Sequence, residues 1–161
     1  MIVLFNNYLK INQMNNIISE IELTYKPVIQ KQERIKISNS QDAFKAILSN
    51  WNKNTIELHE EFKVLLLNRA NEVLGVHTVS KGGITATIVD IRILFAVALK
   101  SVATSIILAH NHPSGNLKPS EADKKLYEKV KKASKYLDIQ VLDNMIITKE
   151  DFYSFADRGL K

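Results

Sequence analysis

Ala109-His110-Asn111-His112-Pro113-Ser114-Gly115-Asn116-Leu117-Lys118-Pro119-Ser120-Glu121-Ala122-Asp123 is the stretch from which the rest of this chain can be read. It holds two of the four histidines, two of the three prolines and one of the five glycines. Ile106-Ile107-Leu108 precedes it and has the apolar run of a buried strand. A periodic, Lys-rich segment follows and reads as a helix. The stretch is therefore a strand-to-helix loop at the carboxyl end of a strand, where open α/β folds hold their sites.

Side chains alternate across an extended backbone, so His110 and His112 point the same way. Two imidazoles on one side can share a divalent cation. Asp123 is the nearest carboxylate after Glu121 and supplies a third ligand type. Two histidines, a carboxylate and a water make an open tetrahedral zinc site of the hydrolytic kind. The chain has no cysteine, which excludes a thiolate zinc site and a disulfide scaffold. A plainer reading stands beside this one. Ser120-x-x-Asp123 fits a capping box, with Ser120 as N-cap and Asp123 reaching back from N3. His110-Asn111-His112 also spells the name of a nuclease motif, whose histidines are spread over a longer ββα unit.

Working outward, 161 residues make one domain's worth of chain, with 45% hydrophobic and 24% charged residues as in ordinary globules. No apolar run approaches a membrane span, and no basic segment precedes Met1-Ile2-Val3-Leu4-Phe5, so a cytoplasmic protein with no membrane contact is expected. The net charge of +5 permits weak, nonspecific DNA contact. Much of the excess falls on Lys124, Lys125, Lys129, Lys131, Lys132 and Lys135, on the helix face opposite Leu126, Val130, Ala133 and Leu137. A solvated helix face is the plainer reading of that pattern.

Residues 1–37 read as an N-terminal arm with a short strand, Ile21-x-Leu23-x-Tyr25, ended by Pro27; residues 38–161 read as the main domain. Gln30 to Ser38 has the composition of a linker. Ser40 is the expected N-cap of a helix carrying Ala43, Phe44, Ile47, Leu48 and Trp51. Phe62 to Leu67 is a buried strand, and Val73 to Val79 returns as its hairpin partner. Asp90 caps a helix with Ile91, Leu94, Phe95, Ala98 and Leu99 on its apolar face. The central strand is expected over Val102 to Ala109. After the basic helix, Ile139 to Ile147 is a strand with Asp143 as a bulge or polar edge, and residues 151–155 close the sheet. The order indicates an α/β fold with a mixed sheet flanked by helices.

The spacing His-x-His-Pro, with seven residues between His112 and Ser120 and two more before Asp123, matches the JAMM metalloprotease motif. The whole string resembles the bacterial RadC family. The resemblance extends through Glu60-Glu61-Phe62, Val64 to Asn71, Val79-Ser80-x-Gly82-Gly83, Val89-Asp90-x-Arg92, Leu142 to Ile147 and Tyr153 to Asp157. It implies the JAB/MPN architecture, related to cytidine deaminases, with Zn2+ held by His110, His112 and Asp123. It implies hydrolysis of a peptide or isopeptide bond in a protein or peptide substrate. Either Glu60 or Glu61 can be the base, and only one can face the metal. The family places its acid two residues before the aromatic, here Phe62, which selects Glu60. Ser120 is expected near the reacting carbonyl while it caps the helix. Asn111 stands where eukaryotic JAMM deubiquitinases tend to carry serine or threonine, and should point into the fold. Asn144 stands where the family often has histidine. RadC relatives commonly carry an N-terminal helix-hairpin-helix region; nothing here resembles it, so the chain reads as a short form. The family's description as DNA repair proteins supplies the alternative, a DNA-transaction accessory protein using the domain as a binding module.

Overall fold

The computed structural model describes residues 30–83 and 87–160. Residues 1–29 of the expected arm, with the strand at Ile21–Tyr25, lie outside the described residues. A three-residue 3₁₀ turn, Lys31–Glu33, leads in. Helices and strands then follow in the order α1 (Ser40–Ser49), β1 (Glu61–Leu67), β2 (Val73–Lys81), α2 (Ile91–Lys100), β3 (Ser105–Asn111), α3 (Glu121–Lys135), β4 (Gln140–Ile147) and β5 (Phe152–Ser154).

The five strands form one mixed sheet in the order β2-β1-β3-β4-β5. β1 is antiparallel to β2 and to β3, β3 is parallel to β4, and β5 returns antiparallel on β4. A parallel pair needs a crossover, and α3 supplies it. β1 and β3 lie at the centre, buried along their whole length. Alternation along them divides the core in two. Phe62, Val64, Leu66, Ile106 and Leu108 meet Leu94, Phe95, Tyr127 and Val130 from α2 and α3. Leu65, Leu67, Ile107, Ala109, Met145 and Ile147 meet Ala43, Phe44 and Ile47 of α1, together with Trp51 and Ile56. The result is an α/β/α arrangement of a mixed sheet flanked by helices.

Four local features depart from the sequence reading. The N-cap of α1 is Asn39, whose side chain accepts the Asp42 N–H at 2.8 Å, while the Ser40 hydroxyl donates to Asp157 at 2.6 Å. Residues 35–37 do not behave as a free linker. Ile37 N–H donates to Asn71 O and Val73 N–H donates to Ile35 O, and Ile37 is buried against α1. Leu99 is half exposed and Tyr127 is core, with its ring edge-on to Phe155 at 5.2 Å. The central strand begins at Ser105 and not at Val102. Its late start has a backbone cause. Val102 follows the C-cap Ser101 with φ of 56°, its N–H donating to Leu99 O, and Ala103 N–H donates to Ala98 O. These bonds form a Schellman stop, which favours glycine at the left-handed position.

At β4 the sequence left a bulge or a polar edge open for Asp143. The ladder pairs Ile106 with Val141 and Ile107 with Asp143, so Leu142 is the extra residue of a bulge. Asp143 is buried there. Its carboxylate accepts from the Ser154 hydroxyl and from the backbone N–H groups of Ala156 and Asn144. Burial raises its pKa although those hydrogen bonds oppose the rise. None of the described helices is long and apolar enough to cross a membrane.

Val102 is a β-branched residue in a conformation that disfavours it, and 58% of its surface is exposed. Val102→Gly should therefore raise stability, by about 1 kcal/mol once glycine's greater unfolded-state freedom is subtracted from the relieved strain. Thermal unfolding checks this. A lowered Tm would show that the valine is unstrained at this position.

Candidate metal centre

β3 ends where the sheet meets the amino terminus of α3, and the chain's polar chemistry collects at that junction. His110 is the penultimate residue of β3 and is 2% exposed. The Phe62 ring lies parallel to its imidazole, with centroids 6.0 Å apart, because Phe62 is its direct partner on β1. His112 follows the strand, and its Nδ1–H donates to the carbonyl of Asn116 at 2.6 Å. That bond occupies Nδ1 and turns Nε2 toward His110 and Asp123. The two Nε2 atoms are 3.1 Å apart.

Asp123 reaches the same point from the first turn of α3. Its Oδ1 is 3.2 Å from His110 Nε2 and its Oδ2 is 3.7 Å from His112 Nε2. Oδ2 also accepts the Ser120 N–H at 2.7 Å and the Ser120 hydroxyl at 2.6 Å, while Asp123 N–H donates back to Ser120 Oγ at 3.1 Å. The capping box is thus present, and Asp123 faces the histidines as well. A carboxylate has two oxygens, so the cap and the ligand reading are compatible. Burial pushes the Asp123 carboxyl up. Hydrogen bonds from His110 and His112, the charge of His110 and the Ser120 hydroxyl outweigh it and hold the carboxyl far below the usual carboxylate range. The bond to Asp123 in turn raises His112.

His110, His112 and Asp123 each offer a ligand atom within 4.8 Å of the others, the one such cluster among the described residues. Nitrogens about 2.0–2.1 Å from one tetrahedral zinc ion sit roughly 3.3 Å apart. The 3.1 and 3.2 Å separations here are of that size. His110 Nδ1, on the side of the ring away from Asp123, is buried with no hydrogen-bond partner, whereas the atom turned into the cluster is Nε2. Two imidazole nitrogens and a carboxylate oxygen, converging without a thiolate, fit a zinc ion with an open position.

The cluster floors a cavity of about 630 Å³ whose walls include Glu60, Phe62, Ile88, Ser114, Asn116 and Ser120. Glu60 precedes β1 and is partly buried. Burial raises its pKa; the charges of His110 and His112 pull it down and Asp123 pushes it up. Glu61 turns to the opposite face and is 1% exposed. It meets His59 at 3.0 Å, Lys63 at 3.2 Å and Lys81 at 3.5 Å. Burial raises its carboxyl as well, but hydrogen bonds from His59 and Lys63 and the charges of Lys63 and Lys81 prevail and lower it. The structure therefore brings Glu60, Ser120, His110, His112 and Asp123 to one cavity and separates Glu61 from them.

Sequence reasoning missed three things here. His59, which the sequence does not single out, is half buried and bonded to Glu61. Lys63 is buried at 5% exposure, with its ammonium on Thr78 at 2.8 Å and over the Trp51 ring at 4.8 Å. A lysine inside a run of core residues was the available signal. The third is the cavity wall at Thr87, Ile88 and Val89, which no pattern in the sequence marks.

Comparison with known proteins identifies the family of the domain. The sequence profile of the RadC-like JAB domain matches residues 37–160. A UPF0758 protein of Flavobacterium johnsoniae is 47% identical over 125 residues, covering 78% of this chain and 53% of the relative. UPF0758 protein CT0611 of Chlorobaculum tepidum is 38% identical over 128 residues, covering 78% and 55%. UPF0758 protein YfjY of Escherichia coli is 42% identical over 101 residues, 63% of each chain. The chain spans about half the length of the first two. A match over three quarters of the sequence, with an α/β fold of the expected kind, establishes that the chain belongs to the RadC-like JAB domain family.

Proposed function

We propose that this protein is a zinc-dependent hydrolase of JAMM type that cleaves an amide bond, of peptide or isopeptide kind. The observation that carries the reading is the convergence of His110, His112 and Asp123 on one point, with Glu60 on the wall of the same cavity. Bound there, zinc supplies a Lewis acid and lowers the pKa of a coordinated water to about 7. Glu60 is the group to receive a proton from the attacking water and to pass it to the departing nitrogen. Its raised pKa suits that exchange, since a base works best when its pKa lies near the operating pH. The Asn116 carbonyl holds His112 through Nδ1–H, which orients the imidazole before any ligand arrives. Ser120 holds Asp123 by its hydroxyl and its N–H, so its first task is to orient a ligand. The same hydroxyl lines the cavity, within the space a carbonyl substrate would enter.

A second reading, weak DNA contact, draws support from α3. Lys124 and Lys131 are tied to Glu121 and Glu128. Lys125, Lys129 and Lys132 are exposed, have no ion-pair partner among the described residues, and share one helical stripe with Tyr136, which is 89% exposed. Such a stripe fits sequence-independent phosphate contact and is compatible with hydrolase chemistry elsewhere in the domain.

Three experiments test these readings. Protein purified without added metal should contain one zinc per chain by elemental analysis, and His112→Ala should lose most of it; full occupancy in that variant would remove His112 from the ligand set. Glu60→Gln should keep zinc and fold while lowering amide hydrolysis by about 10²–10⁴-fold. Glu61→Gln should act on stability instead, lowering the urea midpoint by the equivalent of about 3–5 kcal/mol, because Lys63 is left buried without its counter-charge. Equal losses of hydrolysis in the two variants at unchanged stability would assign the base to the wrong residue. DNA should bind with a Kd of about 10⁻⁴ to 10⁻⁶ M at physiological salt, weakening steeply as salt rises. Changing Lys125, Lys129 and Lys132 to Glu should abolish it with zinc retained, and tight sequence-selective binding in a salt titration would elevate DNA to the principal partner.

A further inference from the structure

Asn111 lies between the two histidines and takes no part in the chemistry above, yet its side chain is fully buried and fully occupied. Its Oδ1 accepts the Glu61 N–H at 2.7 Å. Its Nδ2 donates to the carbonyl of Ile56 at 2.6 Å and to the carbonyl of His59 at 2.9 Å. The β1–β3 ladder explains why an amide is needed there. Its last pair is Phe62 with His110, and the next step would set Glu61 against residue 111. On its other edge β3 continues to Asn111, which pairs with Ile147 of β4. The side chain extends the ladder by one rung where the backbone does not.

These bonds fall on the two peptide groups that flank Glu60. The His59 carbonyl belongs to the peptide before it and the Glu61 N–H to the peptide after it. The remaining polar atoms of the same two peptides are also taken: Glu60 N–H donates to Gly83 O at 2.9 Å, and Gly82 N–H donates to Glu60 O at 2.8 Å. Both peptide planes are therefore held, one edge by Asn111 and the other by the end of β2. Fixing both planes fixes φ and ψ of Glu60, and with them the direction of its Cα–Cβ bond.

We propose that Asn111 is a positioning residue for Glu60. It ties the backbone of the base to the same strand end that carries His110 and His112, so that carboxylate and imidazoles keep one relative placement. Serine or alanine cannot span three backbone groups, and aspartate would set a carboxylate against two carbonyl oxygens where an NH₂ group now donates. The inference rests on the reading of Glu60, His110, His112 and Asp123 as a metal hydrolase.

The test uses cobalt(II) as the probe, because its d–d absorption reports the ligand shell and anything hydrogen-bonded to it. The full chain is loaded with cobalt as wild type, Glu60→Gln, Asn111→Ser, Asn111→Asp and the two double variants, with folding followed by circular dichroism. The expected result is unchanged cobalt stoichiometry throughout. Asn111→Ser and Asn111→Asp should each shift the spectrum in the direction of Glu60→Gln, and neither should add a shift in the Glu60→Gln background, since an effect that acts through Glu60 vanishes with it. Equal shifts in both backgrounds, no shift in either, or loss of fold in both Asn111 variants would overturn the proposal and leave Asn111 a framework residue. A wild-type chain that takes up no cobalt, or a Glu60→Gln variant with the wild-type spectrum, would overturn the metal-hydrolase reading itself.

Discussion

The antiparallel pairing of β1 on β3, in the register Phe62 opposite His110, is the constraint on which the rest depends. Side chains alternate with a period of two, so a slip of one residue exchanges every side chain between faces. In the observed register Phe62, Val64 and Leu66 go to the α2 and α3 side, Leu65 and Leu67 to the α1 side, and Glu60 to the cavity. One residue of slip would carry Glu61 to the cavity and strip the core of its aromatic partner for His110. Two fully buried strands and a cavity edge thus depend on one alignment.

The second constraint is the junction of β3 with α3. A parallel crossover helix must start just past the strand it follows, and its first N–H groups lack partners. Ser120 and Asp123 satisfy them as a capping box. The same requirement draws Asp123 to the sheet end, where His110 and His112 already point. A structural need of the helix and the ligand geometry are met by one carboxylate, which divides its oxygens between them. This is why neither motif alone was decisive in the sequence: Ser-x-x-Asp describes a cap, His-x-His describes two side chains on one face, and only their junction brings three ligand atoms together.

Much of this was legible from the residues. Apolar runs marked β1 and β3, the alternation rule put His110 and His112 on one side, and Asp90 announced its helix as the N-cap. The JAMM-type spacing and the RadC resemblance gave the fold and directed attention to Glu60. What escaped was whatever depends on atoms brought together from distant sequence. Val102 reads as a strand residue by propensity, but the end of α2 requires a left-handed turn there. Tyr127 looks like a surface aromatic in a basic helix until Phe155 returns from the carboxyl end to meet it. Asn111 could be said to point inward, but that it grips residues 50 and 55 positions away follows only from the register.

The buried Glu61–Lys63 pair deserves a physical account, because burying two charges rarely adds net stability over an apolar pair of equal volume. Both residues sit on the α1 face of β1, with His59, Lys81, Thr78 and Trp51 as their side-chain partners among the described residues. In a slipped register Glu61 would turn to the cavity, and Lys63 would turn toward α2 and α3, among the apolar side chains of Leu94, Phe95 and Val130. Unpaired charges in such surroundings are expensive. The pair therefore contributes less by its own attraction than by making the alternative alignment unfavourable. It guards the same register that sets Glu60 beside the histidines, and it does so from the side of the sheet that takes no part in the chemistry.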